Sequence, residues 1–201
     1  MLLADDLTFA YPGSPRTWTW NLEIQPGLTL LQGANGSGKS TLLKVLAGGL
    51  RPSTGSLRLD GLDAFTDGLD YRRNVFWCGP GPTPFGHLTG HEFLGFMRGL
   101  YPAFSLEGLD AHAGAFGLAP FLDRPIRSLS TGTQKKLWIT AALQARTRVT
   151  LIDEPLIGLD AASRAHAIDA LASEMRARSG DIFLVASHEP LDLEPRSIVL
   201  A

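Results

Sequence analysis

Three short stretches carry residue types that together can handle a nucleotide. The first reads Gly33-Ala34-Asn35-Gly36-Ser37-Gly38-Lys39-Ser40-Thr41. Its glycines let the backbone turn successive N–H groups inward, towards an anion. Lys39 is a point charge able to reach the β- and γ-phosphates, and the Ser40 hydroxyl is a hard oxygen ligand for Mg²⁺. A helix starting here adds the positive end of its dipole to the same anion. The second stretch is Val149-Thr150-Leu151-Ile152-Asp153-Glu154. An apolar run ending in two carboxylates puts them at the carboxyl edge of a buried strand, where open α/β sheets hold ligands. Asp153 is placed there to hold Mg²⁺. Glu154, one residue on, points elsewhere, as suits a general base or water-positioner for attack on the γ-phosphate. The third stretch is Leu129-Ser130-Thr131-Gly132-Thr133-Gln134, before an apparently helical Lys135-Lys136-Leu137-Trp138. Ser130 or Thr131 can cap that helix, and Gly132 admits a close approach. One bound nucleotide needs one phosphate cradle, so a second points to a neighbour's nucleotide.

The elements that must position these residues follow from the hydrophobic pattern. Strands are expected at Leu2–Phe9, Trp18–Ile24, Gly27–Gln32, Ser56–Leu59, Asn74–Cys78, Val149–Ile152 and Ile182–Ser187, with Ser197–Leu200 as a last edge strand. Helices are expected at Ser40–Leu50, about 91–100, about 105–116, Leu129 to about Ala145, and Ala161–Arg178. Strands alternating with helices predict an α/β fold, a mainly parallel sheet with flanking helices on both faces. Residues 79–90, dense in proline and glycine, lead into a helical insert. One domain, 1–201, is expected, with a helical subdomain at about 81–145.

Composition narrows the setting. Eighteen Lys and Arg against 20 Asp and Glu give a net charge of −2, which argues against a nucleic-acid partner. Cys78 is the single cysteine, so no disulfide forms within the chain, in keeping with a reducing compartment. The N-terminus lacks the basic and apolar regions of a signal peptide. No apolar run approaches the ~20 residues of a membrane span, so any membrane crossing falls to other chains.

With these residues in hand, the sequence resembles the ATP-binding subunits of ABC transporters, over nearly its whole length. GANGSGKST is similar to the family's Walker A, LSTGTQ to its signature (usually LSGGQ), and VTLIDE to its Walker B with the catalytic glutamate. Gly158-Leu159-Asp160 is similar to the D-loop, and Ser187-His188 to the switch histidine. The resemblance implies a P-loop NTPase fold with an N-terminal antiparallel β portion, and ATP and Mg²⁺ at the site. It also implies a head-to-tail dimer in which each ATP lies between one subunit's Walker A and the other's signature. Ser130 and Gly132 would then touch the partner's γ-phosphate, Asp160 would line the dimer interface, and His188 would contact the γ-phosphate and attacking water. Tyr11 would stack on adenine, with Trp18 as its rival. Multi-pass transmembrane permease subunits would be driven from the cytoplasmic face, meeting residues at about 79–105, where Phe85, Phe93, Phe96 and Met97 are either apolar contacts or, more often for such residues, core.

The chain departs from that pattern after the strand at Asn74–Cys78. The family's usual glutamine is replaced by Pro80, or by Gly79 if the register slips by one. Neither side chain offers a polar group. Either hydrolysis is slower or a water replaces the missing amide, coupling to the membrane subunit is open, and a nucleotide sensor becomes an alternative, which Glu154 and His188 oppose. A soluble DNA-repair or ribosome ATPase is a second alternative. The long coiled-coil insertion, zinc-binding cysteines or second ATPase domain of those relatives do not occur in this sequence.

Overall fold

The computed structural model describes residues 1–79, 85–188, 191, 193 and 195–200. Strands β1 (Leu2–Ala10), β2 (Thr17–Ile24), β4 (Thr54–Leu59) and β5 (Leu62–Asp63) form an antiparallel sheet ordered β2-β1-β4-β5. Strands β3 (Gly27–Gly33), β6 (Val75–Cys78), β7 (Val149–Asp153), β8 (Ile182–Ala186) and β9 (Arg196–Leu200) form an all-parallel sheet ordered β6-β7-β8-β3-β9. The expected strands all occur, with ends shifted by one or two residues.

Side-chain alternation along the parallel sheet creates two cores. Val75, Leu151, Leu184 and Ala186 face helix α1 (Lys39–Leu46), whose Leu42, Leu43, Val45 and Leu46 are buried against the antiparallel sheet's Leu7, Phe9, Trp20 and Ile24. Phe76, Ile152, Phe183 and Val185 point the other way. There they meet α3 (Gly90–Leu100), α4 (Leu109–Ala115), α5 (Thr131–Gln144) and α6 (Ala161–Ala177). A sheet strand buried on both faces reads as a continuous apolar run, which is why VTLI and IFLVA carry no alternation. Helix α3 starts on a capping box, with Thr89 accepting from the Glu92 N–H and Glu92 accepting in return from the Thr89 N–H.

Some expected elements need correction, among them α4, which begins at Leu109 rather than at about 105. Helix α1 ends at Leu46, not Leu50, because Gly48 takes φ +69° and stops the helix. Helix α2 (Gly68–Arg73) and strand β5 were not foreseen. The first is polar with a single anchor, Tyr71, fully buried and donating its hydroxyl to Leu46 O at 2.6 Å. Of the four residues read as core or partner contact, Phe93 and Met97 are core. Phe93 sits 4.8 Å from the Trp138 ring and 6.0 Å from Phe85, while Phe96 is exposed.

Candidate functional site

Strand β3 delivers residues 33–41 to the carboxyl edge of the parallel sheet, and β7 and β8 deliver Asp153, Glu154 and His188 to the same edge. The first stretch cannot continue as strand because Gly33, Gly36 and Gly38 hold φ at +153°, +79° and +103°. At Gly38 a Cβ would stand 2.6 Å from the Trp18 indole nitrogen, so packing as well as dihedral requires glycine there. Gly38 N-caps α1 without a side-chain bond, leaving first-turn N–H groups for another acceptor. Lys39 is buried and folds back, donating to Gly33 O at 2.7 Å and Ala34 O at 3.2 Å. Ser37 is buried, and its hydroxyl has no hydrogen-bond partner among the described residues.

A cleft of about 450 Å³ opens on this edge. It is lined by Asn35, Gly36, Gly38, Lys39, Ser40 and Thr41 from the loop and first turn of α1, by Asp153, Glu154 and His188, by Ser14 and Arg16 from the β1–β2 turn, and by Trp18 of β2. Asp153 is 1% exposed, and its Oδ2 has no hydrogen-bond partner among the described residues. Glu154 holds a left-handed backbone at φ +51°, with its N–H donating to Ala186 O at 2.8 Å. Its Oε1 lies 3.3 Å from His188 Nε2, close enough for an ion pair with a protonated imidazole, though not aligned as a hydrogen bond. The His188 N–H donates to Oε2 at 3.4 Å.

Tyr11 does not line this cleft. It lies just past the end of β1, edge-on to Phe9 at 4.9 Å and Trp18 at 6.2 Å, with its hydroxyl 3.4 Å from Thr41 Oγ1. Trp18 does line it, and the Arg16 guanidinium stands 5.1 Å over the Trp18 ring. Arg16 was missed by the sequence reading. A basic residue two before a strand tryptophan was its only signal.

The signature residues lie elsewhere, and none of Leu129–Gln134 lines the cleft. Ser130 N-caps α5, accepting from the Thr133 N–H at 3.1 Å, with Thr133 Oγ1 at 2.8 Å. Thr131 is the exposed first residue of the helix. The Gln134 amide donates to Ile126 O and Leu129 O, tying down the preceding turn. A Cβ on Gly132 would meet Gly158 O at 2.6 Å, so the start of the signature helix packs against the turn before α6 at a point that only glycine fits. Asp160 N-caps α6 through the Ser163 N–H and pairs with Lys136 at 2.8 Å. The hydrogen bond from Lys136, then those from Ser163, hold its carboxyl well below the usual range. Gly79 carries no side chain towards the site, and Pro80 lies outside the described residues.

The ABC transporter family model matches residues 19–157, more than half of the chain. The cytochrome c biogenesis ATP-binding export protein CcmA of Novosphingobium aromaticivorans is 34% identical over 87% of this chain and 81% of its own length. CcmA of Bordetella bronchiseptica is 37% identical over 71% of this chain, which spans 65% of that relative's length. Among solved structures, a dimeric ATP-binding cassette in a post-hydrolysis state, bound to ADP and Pi, superposes with a TM-score of 0.79 at 22% identity. That likeness covers all of this chain and 94% of the other, and it speaks to fold alone. With the phosphate loop, acidic pair and histidine on one sheet edge and a relative at 34% identity over most of its length, the chain belongs to the ATP-binding subunits of ABC transporters.

Proposed function

We propose that this chain hydrolyses ATP between two subunits and passes the resulting closure to a separate membrane-spanning partner. The carrying observation is the split site. The loop 33–41, Asp153, Glu154 and His188 share one cleft, while Ser130–Gln134 sits outside it on an exposed helix start. A second copy, docked head to tail, brings its signature to the open side of this cleft. Ile157, 54% exposed beside Gly158, is an apolar contact for that interface, and Asp160 holds the neighbouring helix in place from within its own chain.

In this reading Lys39 exchanges the Gly33 and Ala34 carbonyls for nucleotide phosphates, and the free N–H groups of α1 receive the same charge. The unpartnered Asp153 Oδ2 and the Ser40 hydroxyl are hard oxygen donors and fit Mg²⁺, which would neutralise phosphate charge. Glu154 takes a proton from the attacking water as its oxygen bonds to the γ-phosphorus and the bond to the ADP oxygen breaks. His188, fixed against Glu154, orients that water and the γ-phosphate. Residues 81–145 serve as the helical arm of a single ATP-binding domain.

No helix among the described residues is long and apolar enough to cross a membrane, which is why the reading needs a partner. We place its contact at the groove between α2 and α3, where Leu69 and Leu100 are 60% and 45% exposed. Tyr101, Trp77 and the half-buried Phe85 continue the groove, and Arg72 and Arg73 form its rim. That suits a short amphipathic cytoplasmic helix of a multi-pass permease, and sets the protein on the membrane's cytoplasmic face.

The test is assembly. With Glu154→Gln, saturating ATP and Mg²⁺, light scattering is expected to give twice the mass seen without nucleotide. Single chains under all conditions, even with the membrane partner supplied, would overturn the proposal.

Base stacking falls to Trp18 rather than Tyr11. Losing an aromatic platform costs about 1–3 kcal/mol per base, so Trp18→Ala should weaken ATP binding roughly tenfold. Tyr11→Ala should change it by less than about threefold, since Tyr11 supports the platform edge-on. Isothermal titration of the two variants distinguishes the assignments, and the reverse order of effects would restore Tyr11 to the role.

A further inference from the structure

We propose that Lys135 is a positioning residue for hydrolysis, clamping the backbone of the acidic pair so that Glu154 presents its carboxylate to the cleft. Lys135 lies on the first turns of α5, directly after the signature, and is 7% exposed. Its ammonium is turned inward, towards the acidic pair. It donates to Asp153 O at 3.0 Å and Glu154 O at 3.1 Å, the carbonyls of the two residues whose side chains enter the cleft. A buried ammonium is retained only where it is hydrogen-bonded, and here backbone oxygens supply the acceptors.

What the clamp holds is an unfavourable conformation. Glu154 is one of four non-glycine residues with positive φ among the described residues, and the only one of them that lines the cleft. A glutamate gains nothing locally from that conformation, which persists where its surroundings over-determine it. Two bonds do so. The Glu154 N–H is fixed to Ala186 O on β8, and its C=O is fixed by Lys135 on α5. The 153–154 peptide plane is therefore held by β8 through the Glu154 N–H and by Lys135 through the Asp153 C=O, and the 154–155 plane by Lys135 through the Glu154 C=O. Removing the ammonium frees the α5 side and lets Glu154 relax towards negative φ, turning its carboxylate away from His188 and the cleft.

The inference rests on the ATP-hydrolysis reading and is tested with two readouts. Lys135→Met keeps the length and removes the donors. It is expected to lower kcat about 10–100-fold, the cost of an ångström-scale misplacement, with KM for ATP within about twofold of wild type. Lys135→Arg keeps donors and should recover kcat to within about threefold of wild type. A merely structural role would move thermal stability, KM and kcat together in both variants, and would overturn the proposal. The second readout is the ¹³Cα and ¹³Cβ shifts of Glu154 without nucleotide. They should report a left-handed residue in wild type and Lys135→Arg, and a negative-φ residue in Lys135→Met. If Lys135→Met fails to fold, Lys135→Gln, which keeps a donor but shortens its reach, should show an intermediate shift. Unchanged Glu154 shifts in the folded variant would overturn the clamp. A wild-type chain without ATPase activity would overturn the hydrolysis reading instead, while the shifts still decide the clamp.

Discussion

Glu154→Gln should lower kcat by about 10²–10⁴-fold, the usual contribution of a positioned general base. It should leave ATP affinity within about threefold of wild type. The substitution changes little else. Glutamine matches glutamate in shape, can adopt the same φ of +51°, and still offers an oxygen to the His188 N–H. What it loses is the ability to accept the water's proton. Lys39, Ser40 and Asp153, which we assign to binding phosphate and Mg²⁺, are untouched and lie on other residues of the cleft. The signature of the mechanism is therefore a split between turnover and binding, with the closed dimer accumulating because its ATP is not cleaved. A steady-state ATPase assay beside an ATP titration reads both. A variant retaining more than about a third of wild-type kcat would remove Glu154 from the role of base.

How far the sequence discloses this site depends on whether the information is local. The glycine spacing of 33–41 and the carboxylates after VTLI are chain-local patterns with one physical solution, and the structure places both at one sheet edge. The aromatic beside the cleft is different. Pairing of Phe9 with Trp18 across the β1–β2 hairpin carries the indole to the cleft, while Tyr11 lies beyond the last paired residue, Ala10. That register cannot be read from either strand alone. Helix α3 was legible, but which of its aromatics face inward was not. Phe93 and Met97 turned out to be core because the helix meets Trp138 and Phe76 from the far side of the sheet. Helix α2 hid behind polar residues, since one buried tyrosine makes no periodic stripe. Lys135 had no sequence signal at all, because its bonds reach 18 and 19 residues along the chain to backbone atoms.

The split site makes its sharpest prediction through Gly132. A Cβ there would lie 2.6 Å from the Gly158 carbonyl, a backbone atom with no rotamer to yield, so Gly132→Val must displace the start of α5 or the turn before α6. The displaced N–H groups are those we assign to the neighbour's phosphate, and losing one such donor costs about 10²–10³-fold in kcat. The variant's own cleft keeps every one of its lining residues, so ATP binding by the single chain should stay near wild type. Mixing then separates the two chains' contributions. Gly132→Val chains and Glu154→Gln chains should each be nearly inactive alone. In a head-to-tail heterodimer, the site built on the Gly132→Val chain's own Glu154 faces the intact signature of the Glu154→Gln chain. That site is complete. Random pairing of equal amounts, with sites acting independently, should restore about a quarter of wild-type activity, because about half the dimers are mixed and each has one live site. If Ser130–Gln134 acted on the nucleotide of its own chain, no pairing would assemble a complete site, and the mixture would remain as inactive as its components.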